Sequence, residues 1–269
     1  MTTFTIDTPR GPVAGIESGQ GPALVLVAGL GSSHRIWGDL PDVLGRWFTV
    51  LAIDNRGIGG SRSGRHFSLA DAALDVLAAV DGRGHHHFAL LGASMGGAIA
   101  LATALQAPQR VRCLVLASCA ARLSGHGRRS LELLRALLRH LPPERVGPAL
   151  MTLAFAPPFA ERFPGFVDEA ARLYGLDPDD LPGATDQVER LLVGWDLRPQ
   201  LAELEVPALV LSGERDPIVA PEDTAELAAT LPAAELVSVP AAAHSVLAEG
   251  GGEVLQKVMD FLAAHAASS

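Results

Sequence analysis

FALLGASMGGAIALATAL, residues 88–105, places a single serine, Ser94, between a strand-like apolar run and a helix-like one. Five of the eight residues in its centre, LGASMGGA, carry little or no side chain. Gly92-Ala93-Ser94-Met95-Gly96 fits the pattern G-x-S-x-G, in the strand-before, helix-after setting that this pattern requires. A serine at the tip of so sharp a turn sits in a strained backbone conformation with its hydroxyl exposed. Bulky neighbours would clash with the adjoining strand and helix. The alternative is plain close packing at a strand–helix junction, and the surrounding pattern has to choose.

Working outward, strands and helices alternate. TFTID and VAGIES flank a Pro-Arg-Gly-Pro turn and read as an opening hairpin. ALVLVAG (23–29) is an apolar run short enough for a buried parallel strand, and a helix is expected over Ile36–Leu44. FTVLAID closes at Asp54, before NRGIGGSRSG, whose four glycines in ten residues favour turns. A helix over Leu69–Ala79, the strand Phe88–Leu91, the helix after Ser94 and the strand Val111–Ser118 follow. Alternation of this kind predicts an α/β fold, a mostly parallel twisted sheet with helices on both faces. Residues 121–198 break the rhythm with helical stretches such as RRSLELLRALLRHL. PALVLSG (207–213), a helix after Pro221, AELVSV (234–239) and a helix over Glu253–Ala264 then resume it. The expected organisation is a core of residues 1–120 and 199–269, interrupted by a helical cap over 121–198.

The 269 residues are 48% hydrophobic and 19% charged, enough for a large core. A net charge of −9 argues against nucleic acid or an anionic membrane as partner. No apolar run reaches membrane-spanning length, and no secretory signal is visible. Cys113 and Cys119 read as buried thiols, so a cytoplasmic location is expected, with a small-molecule substrate and an open possibility of homo-oligomers.

A serine hydroxyl needs a base, and the base an orienting acid, in the chain order Ser, Asp or Glu, His on this kind of sheet. Asp216, in VLSGERDPIVAP, and His244, in VPAAAHSVLAEG, each follow a predicted strand end, where ligands bind in open α/β sheets. Alone, Asp216 could be a turn residue and His244 an unremarkable loop histidine. Glu214 is an alternative acid and Asp196 a weaker one. Two backbone N–H groups are expected to receive the developing oxyanion, those of Met95 and Leu30. His34 either lines the site mouth or simply starts a helix. Phe155, Phe159, Phe163 and Phe166, with Trp195, form either a small cap core or an apolar substrate pocket. The adjacent His85, His86 and His87 cannot all face one point and lack a carboxylate or cysteine companion, so no metal is expected.

VLVAGLGSS, DNRGIGGS, GASMGG, LSGERDPIV and AAAHSVLAE, in that order, resemble the α/β-hydrolase fold family across the chain outside the insertion. The resemblance implies a cofactor-free serine hydrolase similar to carboxylesterases, enol-lactonases and haloperoxidase-like esterases, with the insertion as the cap that sets substrate choice. It implies attack on an ester, lactone or thioester. C–C hydrolysis, acyl transfer and cyclisation or elimination use the same machinery, and a silent binding protein is the remaining class. Two departures stand out: Ala28-Gly29 replaces the family's usual His-Gly, removing a side chain that often braces that loop, and Ala243 replaces a glycine before the histidine.

Overall fold

A computed structural model describes residues 1–62, 66–174 and 177–266. Ser63 and Gly64 of the glycine-rich turn, Gly175 and Leu176 of the insertion, and the last three residues, 267–269, lie outside the described residues.

Strands β1 (Thr2–Ile6), β2 (Val13–Ser18), β3 (Ala23–Val27), β4 (Thr49–Ile53), β5 (Phe88–Ala93), β6 (Val111–Ala117), β7 (Ala208–Gly213) and β8 (Ala234–Val239) form one eight-stranded sheet. Its order is β1-β2-β4-β3-β5-β6-β7-β8. β1 and β2 pair antiparallel as the expected hairpin, β2 joins β4 antiparallel, and every pairing from β4 to β8 is parallel. The chain leaves β3 for β4 on one side and returns to β5 on the other. The connections after β3 and β5 therefore diverge and leave a crevice at their carboxyl ends.

Alternate residues of each central strand feed two apolar layers. Val25, Val27, Leu51, Leu90 and Leu116 face helices α2 (Leu69–Gly82) and α3 (Met95–Gln106). Leu24, Leu26, Val50, Leu91 and Val115 face α1 (Leu40–Leu44) and the carboxyl-terminal helix (Gly251–His265). Burial on both faces is why these strands read as continuous hydrophobic runs with no alternation. Edge strand β8 is half exposed, and its run is broken by Glu235 and Ser238.

The helix expected over Ile36–Leu44 is instead two short pieces, a 3₁₀ turn over His34–Trp37 and α1. Gly38, at φ +51°, donates its N–H to Arg35 C=O and ends the first piece before the second begins. Between β6 and β7 run α4 (Gly125–His140), α5 (Pro143–Ala154), α6 (Pro157–Arg162), α7 (Pro164–Leu173) and α8 (Leu181–Val193), then a short α9 (Arg198–Leu201). A lone bridge between Arg122 and Asp196 joins the two ends of this segment. In α4, Leu131, Leu134 and Leu138 point inward with Ala184 and Val188 of α8, and Ile58 from the turn after β4 completes that cluster. Arg135 and Arg139 reach across to Glu189 of α8. No helix among the described residues is long and apolar enough to cross a membrane.

Two glycines permit the junction around Ser94. A Cβ on Gly96 would stand 1.9 Å from Val27 C=O, and one on Gly92 would stand 2.3 Å from Gly96 C=O. Both contacts are with main chain, which has nowhere to go. Gly96→Ala is therefore expected to lower unfolding free energy by roughly 3 kcal/mol or more, the upper range of overpacking, measured by denaturant unfolding. Cys113 and Cys119 are free and buried, and burial pushes each thiol up to about 12. Both are expected to resist a disulfide reagent at pH 8 in the folded protein and to react fully in guanidinium, as thiol titration would show.

Candidate functional site

At the end of β5 the backbone of Ser94 adopts φ +55° and ψ −122°, a region that costs a non-glycine residue about 1–3 kcal/mol. Ser94 N–H donates to Ala117 C=O at 2.8 Å and Gly97 N–H to Ser94 C=O at 2.9 Å, so both sides of the turn are tied down. Met95 is the first residue of α3, so its N–H has no acceptor within the helix. Among the described residues that N–H has no partner outside the helix either, and Leu30 N–H is also unpartnered. Gly29 sits against the serine: a Cβ built on it would lie 3.4 Å from Ser94 Cβ and 3.9 Å from Ser94 Oγ.

Asp216 follows β7 and is buried, with 2% of its side chain exposed. Its Oδ1 accepts the N–H groups of Ile218 (2.8 Å) and Val219 (3.0 Å), while Oδ2 faces His244 Nδ1 at 2.8 Å. With a proton on Nδ1 directed at this carboxylate, His244 keeps its Nε2 lone pair free. Glu214 is exposed, and Asp196 is engaged by Arg198, which holds its carboxyl down at about 2. Of the three acids considered from the sequence, only Asp216 meets the histidine.

Ser94 and His244 line one cavity of about 340 Å³, mainly apolar, at the β3/β5 crevice. Its walls come from the core through Trp37 and Leu40 and from the insertion through Phe155, Phe166 and Tyr174. A smaller space of about 70 Å³ meets Ser94 from the other side and is bounded by Leu30, Met95 and Trp195. Phe155 thus borders the larger cavity and Trp195 the smaller. Phe159 does neither: it stacks on Phe155 at 5.4 Å and packs against Phe163 and Phe166.

His34 is also outside both spaces. Its backbone N–H and its Nδ1 both meet Asp54 Oδ1, at 2.7 and 2.8 Å, and Asp54 Oδ2 takes Gly60 N–H at 2.9 Å. The aspartate ties the loop after β3 to the turn after β4 and uses the imidazole to do so. Phe166, one of the phenylalanines read from the sequence as cap core or pocket, lines the larger cavity, whereas Trp37 and Tyr174 have no counterpart in the sequence reading. Both stand outside any local sequence pattern.

The family model for the alpha/beta hydrolase fold matches residues 22–251. The chain belongs to that family. Over 233 residues it is 29% identical to a protein of Azorhizobium caulinodans provisionally named carbamate hydrolase RutD, covering 84% of this chain and 86% of the relative. The enol-lactonase of Burkholderia xenovorans LB400 superposes with a TM-score of 0.87 at 25% identity, over 97% of this chain and all of that one (100%). A hydrolase of Pseudomonas aeruginosa PA01 follows at 0.84 and 29%, over 97% and 98% of the two chains. Hydrolase activity of the alpha/beta type is the class these relatives share.

In this alpha/beta hydrolase the histidine loop is also stitched to the insertion. Glu249 accepts Ala243 N–H at 2.8 Å and Ala156 N–H at 2.9 Å, and Ser245 N–H donates to Ala154 C=O at 2.8 Å. Burial pushes the Glu249 carboxyl up, offset by those two N–H groups, with Asp216 adding to the rise and His244 opposing it. The folded protein thus holds this proton more tightly than the unfolded chain does. Stability contributed by the glutamate is greatest at acid pH and declines as pH rises from the ordinary carboxylate range through the raised value. Urea unfolding of wild type and Glu249→Gln across pH 4 to 8 should show wild type losing ground to the variant over that window and running parallel above it.

Proposed function

We propose that the protein is a serine hydrolase that cleaves a carboxylic ester, lactone or thioester of a small, partly apolar substrate. Ser94 is the nucleophile, His244 the base and Asp216 the group that orients it. The observation that carries this reading is the pairing of His244 Nδ1 with buried Asp216 while both His244 and a strained Ser94 line the same cavity.

The chemistry follows from that arrangement. Ser94 Oγ bonds to the substrate carbonyl carbon as its proton passes to His244 Nε2, and the carbonyl oxygen becomes an anion. Leu30 and Met95 offer it two N–H groups, the second at the amino end of α3, where the helix dipole favours negative charge. The carbon–leaving-group bond then breaks as His244 returns the proton to the departing oxygen or sulfur. Water repeats the cycle on the acyl-enzyme: its proton goes to His244, its oxygen to the carbonyl carbon, and Ser94 leaves reprotonated. No cofactor takes part in these steps.

The insertion, acting as a cap, contributes Phe155, Phe166 and Tyr174 to the larger cavity and so selects an apolar group. A cavity of about 340 Å³ suits a short acyl chain or a small lactone ring better than a long lipid tail. The lactone reading is favoured by the fold-wide similarity to an enol-lactonase. A carbamate, the substrate class in the name of the sequence relative, presents a carbonyl that the same machinery would attack.

Ser94→Ala and His244→Ala are each expected to lower kcat toward p-nitrophenyl butyrate by about 10⁴-fold or more, and Asp216→Asn by up to about 10⁴-fold, with folding intact by circular dichroism. A fluorophosphonate should label wild type at Ser94 and leave Ser94→Ala unlabelled. A folded Ser94→Ala enzyme with wild-type turnover removes the assignment.

A further inference from the structure

The loop that carries Leu30 opens with Ala28-Gly29, neither of which has a side chain that could brace it, and a side chain from the insertion stands in a bracing position. Gly29 C=O accepts Ser32 N–H at 3.3 Å and Gly31 has φ +70°, the pattern of a type II turn over Gly29–Ser32. Such a turn differs from type I by rotation of its central peptide, here Leu30–Gly31. Gln187 of α8, with none of its surface exposed, meets that peptide: its Oε1 accepts Gly31 N–H at 2.8 Å. Its Nε2 donates to Arg56 C=O at 2.9 Å, in the turn after β4. Arg56 is itself anchored, through two bonds to buried Asp75 at 2.6 and 3.0 Å. Close approach of the two backbones holds α8 against this turn, since a Cβ on Gly183 would lie 1.9 Å from Gly57 C=O.

We propose that Gln187 is a positioning residue for the oxyanion site: by fixing Gly31 N–H it anchors the turn directly after Leu30, and so holds Leu30 N–H in place beside the space that Leu30 and Ser94 both line. The proposal rests on the assignment of Ser94 as nucleophile and Leu30 as oxyanion donor. It makes the insertion part of the catalytic geometry as well as a wall of the substrate cavity. Gln187 acts through the backbone and touches no reacting atom.

Two variants test it. Gln187→Met keeps the bulk and removes both hydrogen bonds. With p-nitrophenyl butyrate it should lower kcat by about tenfold or more, toward the loss seen when an oxyanion donor is removed, with KM within twofold. Affinity for a trifluoromethyl ketone, whose adduct with Ser94 carries the oxyanion, should fall by the same factor as kcat. A residue that only supports the fold would lower the melting temperature without separating ketone affinity from KM.

Gln187→Glu provides the second readout, and decides the matter if the methionine variant does not fold. A protonated glutamate reproduces the amide, its carbonyl accepting Gly31 N–H and its hydroxyl donating to Arg56 C=O. An ionised one opposes that carbonyl. Its kcat relative to wild type at the same pH should therefore be highest in acid and fall as pH rises, the titration of His244 cancelling in the ratio. A methionine variant with wild-type kcat and ketone affinity, or a glutamate ratio that is flat with pH, overturns the proposal. Either result in an active wild type leaves the Ser94 assignment standing. A wild type that neither turns over esters nor labels with fluorophosphonate removes that assignment first.

Discussion

The geometry around Ser94 rests on the contact of Gly96 with the carbonyl of Val27, where helix α3 passes over the end of strand β3 with no room for a methyl group. That approach forces the turn between β5 and α3 to be abrupt, and abruptness puts Ser94 at a positive φ with its hydroxyl turned toward the crevice. The strain is supported by two apolar layers and by main-chain bonds on both sides of the serine. It is a local cost carried by a large core. The small residues around Ser94 therefore have one physical explanation with two faces. They allow strand and helix to close on each other, and closure is what exposes the serine.

Around this junction the sheet order does the next part of the work. Because β5 lies on the opposite side of β3 from β4, the loops after β3 and β5 separate, and the crevice between them is where Gly29 meets Ser94. β7 and β8 then deliver Asp216 and His244 to the same rim. Polar side chains lock the loops to one another: Asp54 to His34 and Gly60, Asn55 to Ala28 C=O at 2.7 Å, and Gln187 to Gly31 and Arg56. Each is buried, so each lost partner would leave a polar group without water, which makes these links more specific than their number suggests.

The insertion is held to the core from two directions. α8 closes on the turn after β4 through Gly183, Asp180 and Gln187, and the segment around Ala154–Ala156 closes on the histidine loop through Glu249 and Ser245. These attachments are polar contacts of main chain, carboxylate and amide, whereas Phe159, Phe163 and Phe166 pack ring against ring, with Phe163 and Phe166 partly exposed. The segment that lines the cavity beside Ser94 and His244 is thus bonded to the loops around both residues.

The residues that were legible in the sequence share a property: their signal is local. Strands buried on both faces appear as short apolar runs, and the turn around Ser94 announces itself through glycines that have no other use. Asp216 and His244 stand shortly after the strand runs that end at Gly213 and Val239. The helix read over Ile36–Leu44 fails at Gly38, because one glycine inside an apolar-periodic stretch does not reveal whether it will take a positive φ. His34 is a second case: its partner, Asp54, is twenty residues away and belongs to another strand end. Gln187 sits in an ordinary amphipathic helix and Glu249 ends a single helical turn over Val246–Glu249, and nothing in either marks a polar residue that will end up facing another part of the chain. Periodicity and turn chemistry are fixed by neighbours in the chain, which is why the succession of strands along the chain and the candidate nucleophile could be read directly, whereas the order of the strands within the sheet could not. Which carboxylate meets the histidine, which aromatics wall the cavity and which amide braces the loop after β3 depend on separate elements brought together, 28 residues apart in the first case and 156 in the last, and only the packed tertiary structure decides them.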